Sequence, residues 1–88
     1  MAFYKLVWKK SAERDLYQID PIYVPKIIER IEELAYNPFP RECRKIVSTK
    51  YTYRIRIGDY RVIYHVNVKD KVITILYIRH RRSAYRHV

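Results

Sequence analysis

The chain has few of the residues that staple or metallate a small fold. Among its 88 residues there is one cysteine, Cys43, so no internal disulfide can form. A lone thiol fits a reducing cytoplasm and argues against a secreted disulfide scaffold. One cysteine and three scattered histidines give no metal-ligand spacing, so neither metal nor cofactor is expected. No apolar run is long enough to span a bilayer, and no signal-peptide pattern is present. A cytoplasmic protein without a membrane segment is the expectation. Glycine occurs once, at Gly58, which makes its position informative.

Negative charge is also scarce, and unevenly so. Residues 1–43 carry seven Lys/Arg and seven Asp/Glu, which cancel. Residues 44–88 carry twelve Lys/Arg against Asp59 and Asp70 alone, and so hold the whole net charge of +10. The first half is an ordinary amphipathic scaffold. The second is a basic surface, the electrostatic footprint of a nucleic-acid partner. No basic amphipathic helix is visible there to suggest a membrane surface instead. Length sets one small domain, residues 1–88, with 49% apolar residues to build its core.

Two alternating runs flank Gly58-Asp59, which reads as a two-residue hairpin loop. Glycine supplies the positive φ that such a turn needs at its first central position. The loop fixes a register: Ile57 opposite Tyr60, Ile55 opposite Val62 and Tyr53 opposite Tyr64, all on one face. The other face sets Arg56 opposite Arg61, Arg54 opposite Ile63 and Thr52 opposite His65. Like charges directly opposite each other destabilise a strand pair. Three arginines gathered beside an apolar residue therefore point to a face that holds an anion. The competing reading is an ordinary solvated outer face, which costs little because exposed charges interact weakly in water.

Around the hairpin, Phe3 to Lys9 reads as a strand. Ser11 is a plausible N-cap for a first helix carrying Ala12, Leu16 and Ile19, which Asp20-Pro21 breaks. Val24, Ile27, Ile28, Ile31, Leu34 and Ala35 form the apolar stripe of a second helix, regular from about Val24 and ending before Asn37-Pro38. A short strand is expected at Lys45 to Ser48. A polar turn follows the hairpin at Asn67 to Lys71, and Val72 to Ile78 reads as a strand buried between neighbours. The fold class is α+β: a twisted antiparallel sheet with two N-terminal helices packed on one face, the arginine face left open. The last strand then brings His80, Arg81 and Tyr85 toward Arg54, Arg56 and Arg61. Guanidinium groups fork onto phosphate oxygens at any relevant pH, and a tyrosine can stack on a base of single-stranded RNA. Without a metal, phosphodiester cleavage needs an internal nucleophile, which RNA supplies in its ribose hydroxyl. The protein must align it, stabilise charge and move protons.

The run YRIRIGDYRVIY (Tyr53 to Tyr64), followed by IRHRRSAYR (Ile78 to Arg86), resembles the RelE/ParE toxin superfamily, on its RelE side. The resemblance covers nearly the whole chain. It implies the toxin of a type II toxin–antitoxin pair: an mRNA interferase that enters the ribosomal A site and cuts messenger RNA without metal. The partners it implies are ribosome, mRNA and an acidic, RelB-like antitoxin that wraps the toxin. By position, Arg54 and Arg56 match two basic residues of the family's hairpin strand, and Arg61 the arginine on the scissile phosphate. Arg81 matches a C-terminal arginine that acts as acid or charge stabiliser, and Tyr85 the tyrosine that stacks on the substrate base. Lysines stand at the first two positions in the family's best-studied pattern. Arginine does not give up its proton as lysine can, so the general base is left between His80, within the matching motif, and His65. Two alternatives stay open: a ParE-like inhibitor of DNA gyrase without nuclease activity, and a non-catalytic module that binds RNA or the ribosome.

Overall fold

Gly58 adopts φ +61°, and the strands on either side of it pair in the register that its position dictates. The computed structural model describes residues 3–80. In chain order the elements are β1 (Lys5–Trp8), α1 (Lys10–Tyr17), α2 (Val24–Glu33), β2 (Arg44–Lys45), β3 (Thr52–Ile57), β4 (Tyr60–Asn67) and β5 (Val72–His80). The strands form one sheet in the order β1-β5-β4-β3-β2. All six cross-strand pairs expected for the β3–β4 hairpin are present, from Ile57–Tyr60 to Thr52–His65.

The α+β class and the two helices on one face agree with the expectation, while the sheet is mixed rather than wholly antiparallel. β2–β3, β3–β4 and β4–β5 are antiparallel, but β1 runs parallel to β5, with Lys5 beside Val72 and Trp8 beside Ile75. Parallel neighbours need a long connection, and here residues 9–71 separate the two strands. β5 is thus an interior strand, which explains why its sequence is apolar on both sides.

β1 stops at Trp8, and the edge of β5 beyond it is closed by α1. The Lys9 amide donates to the Ile75 carbonyl at 3.0 Å. The Ser11 hydroxyl donates to the Leu76 carbonyl at 2.6 Å, and the Ile78 amide to the Asp15 carboxylate at 2.9 Å. Backbone groups left bare on a buried edge are costly, so these side chains complete the sheet. This corrects the expected cap. Lys9, not Ser11, sits at the N-cap of α1, and the Ser11 hydroxyl serves the strand instead. The second short strand lies at Arg44–Lys45, slightly earlier than expected.

In α2 the buried positions are Ile27 and Ile31, followed by Leu34 and Ala35 just past its end. Pro25 falls in the first turn, where its missing N–H breaks no helical bond. This stripe and Ala12 of α1 pack on Ile55, Ile57, Val62, Tyr64, Val66, Ile73, Ile75 and Ile78 from the same face of the sheet. Among the described residues no helix is long and apolar enough to cross a membrane.

Candidate functional site

With both helices on the inner face, strand alternation turns the other face of β3 and β4 to solvent. Arg54 and Arg56 are exposed, and Arg61 is half-buried opposite Arg56. The sheet adds two arginines that sequence reasoning did not include. Arg44 of β2 stands opposite Arg54, and Arg79 of β5 stands opposite Arg61. The outer face therefore carries a continuous row, Arg56–Arg61–Arg79, running across three strands. Neighbouring strands lie about 4.8 Å apart. A parallel row runs Arg44–Arg54–Ile63–Tyr77. Ile63 is only 7% exposed although it faces away from the helices, because the flanking side chains cover it.

Local bonds hold several of these guanidinium groups. Arg56 Nε donates to the Gly58 carbonyl at 3.0 Å, tying the side chain to the turn. Arg44 donates to the carbonyls of Cys43 and Arg41 at 2.9 and 3.2 Å. Arg79 stacks over the Tyr77 ring at 4.6 Å and bonds the Asp15 carboxylate at 2.5 Å. Such anchoring lowers the entropy lost when an anion is bound.

His80 is not on this face. It pairs with Tyr60, on the helix side of the sheet, and the two rings meet edge-on with centroids 5.1 Å apart. The cause is a β-bulge at Leu76, which leaves Ile63 opposite Tyr77 but Tyr64 opposite Ile75. The extra residue reverses the alternation, so Ile78 and His80 point inward and Tyr77 and Arg79 outward. Simple alternation from the buried Ile73 and Ile75 gives the reverse. His65 does lie on the outer face, opposite Thr52 and Thr74, with the Tyr51 ring 6.0 Å from its own. Arg81 and Tyr85 lie outside the described residues.

Around His80 the inner face opens into two clefts that share Tyr60 and His80. One, of about 230 Å³, is walled by Tyr23, Ile27, Ile57 and Lys26. The other, of about 530 Å³, lies between α1 and the end of β5 and is lined by Arg14, Asp15, Gln18 and Arg79. Burial, with help from Tyr23, Asp20 and Asp59, pushes the Tyr60 phenol above its ordinary pKa. Tyr60 is therefore a neutral donor at physiological pH. The arrangement as a whole can bind phosphate across the outer sheet face and round its α1 edge.

Comparison with known proteins agrees with this reading of the fold. A family model described as the ParE toxin of type II toxin–antitoxin systems matches residues 6–85. The chain is similar to RelE1 of Methanocaldococcus jannaschii, 36% identical over 81 residues that make up 89% of this chain and 90% of the relative. It is similar in structure to the archaeal RelE–RelB complex of Pyrococcus horikoshii, with 38% identity and a TM-score of 0.80 over 90% of this chain and 96% of the other. The RelBE2 toxin–antitoxin complex of Mycobacterium tuberculosis follows, with 25% identity and a TM-score of 0.78 over 89% and 98% of the two chains.

Proposed function

The chain belongs to the RelE/ParE superfamily of type II toxins, and from that premise we propose that it is a ribosome-dependent endoribonuclease that inhibits translation by cutting messenger RNA in the A site. The observation that carries the reading is the open arginine face, where Arg56, Arg61 and Arg79 stand in a row beside Arg54. A phosphodiester laid across that row meets preorganised, permanently charged donors.

The reaction proceeds by attack of the ribose 2′-hydroxyl on the adjacent phosphorus. The P–O5′ bond breaks, the product carries a 2′,3′-cyclic phosphate, and the 5′ oxygen leaves with a proton. Arg54, Arg56 and Arg61 hold the phosphate and stabilise the added negative charge in the transition state. Arg81 is assigned to charge stabilisation or proton donation, and Tyr85 to stacking on the substrate base. His80, within the matching C-terminal motif, is assigned as the general base. Its side chain points to the helix side of the sheet, so this role requires an RNA strand that bends over the end of β5 from the arginine face. The ribosome contributes the rest of the alignment by presenting the codon.

An acidic antitoxin is the natural partner of such a surface. The Pyrococcus relative is seen in a RelE–RelB complex and the Mycobacterium relative in a toxin–antitoxin complex. The site of action is the cytoplasm, where ribosomes are and where the free Cys43 stays reduced. A second reading, inhibition of DNA gyrase, is favoured by the ParE description of the matching family model.

Adding the purified protein to a cell-free translation reaction separates these readings. Primer extension is expected to show cuts within translated codons and none when ribosomes are omitted. Intact message together with loss of gyrase supercoiling would favour the second reading and overturn the first.

A further inference from the structure

Along the arginine row, from β3 over β4 to β5, the next element is not a strand. β1 pairs only with residues 72–75 of β5, so beside Arg79 the row meets α1. There it reaches the cleft of about 530 Å³ between α1 and the end of β5. Arg79 belongs both to the row and to the wall of this cleft. Arg14, exposed on α1, extends the same line of positive charge across it. Asp15, the carboxylate in this lining, is already engaged by the Arg79 guanidinium at 2.5 Å and the Ile78 amide at 2.9 Å. The cleft is thus a cationic hollow with its acid already paired. Its volume lies within the range of small-molecule sites. On the inner side, the Tyr60 and His80 rings give it an aromatic wall, and Gln18 gives it an amide.

We propose that this cleft is a second nucleotide subsite, in which Arg14 and Arg79 hold the backbone phosphate of the nucleotide flanking the one on the arginine face, with its base or ribose against Tyr60 and His80. The assignment rests on the RNA-cleaving reading above. It turns the face and the cleft into one track that carries a single strand over the edge of the sheet. The ligand is a phosphodiester of single-stranded RNA. An acidic peptide, which offers carboxylates instead, lacks a base or ribose to occupy the aromatic wall.

The test is fluorescence anisotropy with a labelled hexanucleotide whose 2′-hydroxyls are methylated to block cleavage. Binding is measured across a salt series for wild type, Arg14→Ala, Arg14→Lys and Lys69→Ala. Lys69 lies in the turn at the far end of β5 and serves as the control for net charge. In Arg14→Ala the affinity falls, and the slope of log K against log salt becomes shallower by about 0.7, the value of one lost single-strand phosphate contact. Arg14→Lys keeps the slope, and Lys69→Ala leaves both quantities as in wild type. Equal slopes for Arg14→Ala and wild type, or equal changes for Arg14→Ala and Lys69→Ala, overturn the subsite and leave the RNA reading standing. Failure of wild type to bind the hexamer at low salt overturns the subsite, while the RNA reading is judged by the ribosome-dependent cleavage assay above. If polyglutamate binds with an Arg14-dependent affinity while the hexamer ignores Arg14, the cleft belongs to a protein partner and the proposal fails.

Discussion

Tyr64 sits at the centre of the core with no exposed surface, and its hydroxyl donates to the Pro38 carbonyl at 2.8 Å. That bond ties β4, which presents Arg61, to the loop after α2. Replacing Tyr64 by Phe keeps the ring, including its stacking against Tyr53, and removes only the donor. A buried carbonyl deprived of its partner costs about 1–3 kcal/mol. Burial first, then the neighbouring Cys43 thiol, Tyr53 and Glu42, push the Tyr64 phenol far above its ordinary pKa. A folded pKa raised above the unfolded one means that the stabilisation is complete below about pH 10 and is lost as pH rises beyond it. The loss runs at about 1.4 kcal/mol per pH unit. An advantage of 1–3 kcal/mol is therefore used up within about two pH units, and the two proteins become equally stable near pH 11–12. Urea unfolding of wild type and Tyr64→Phe between pH 7 and 11.5 checks this, because the other tyrosines titrate in both proteins and cancel in the difference. A gap that stays constant across the range, or equal stability at pH 7, would refute the reasoning.

Three further outcomes follow from the fold. Gly58→Val is expected to cost about 1–2 kcal/mol through its positive φ alone, since no atom lies within 4 Å of an added Cβ; thermal melting measures it. Ile31→Ala, at a position with no exposed surface, should lose about 2–5 kcal/mol in urea unfolding. Asp15→Ala strands the Ile78 amide and releases Arg79, and is expected to cost about 1–3 kcal/mol, read as a lower unfolding midpoint.

Much of this architecture was legible in the residues, and each failure has a physical cause. A lone glycine before aspartate between two alternating runs fixed the hairpin register, because a two-residue turn leaves no slack. The stripe on α2 was equally plain. The parallel pairing of β1 with β5 had no local signal, since it joins strands at opposite ends of the described chain. The bulge at Leu76 hides within a continuously apolar run, where no change of pattern marks it. That single extra residue moved His80 off the arginine face and brought Arg79 onto it. Arg44 was missed because a two-residue strand is too short to show alternation.

The central claim is that the arginine row stabilises a cleaving phosphate rather than merely attracting RNA. Its most direct test is the rate of translation-coupled mRNA cleavage by the Arg56→Ala/Arg61→Ala double variant, after circular dichroism has established a native fold. Losing preorganised charge stabilisers is predicted to slow cleavage by roughly 100-fold or more. Cleavage at the wild-type rate by the folded double variant would contradict the account.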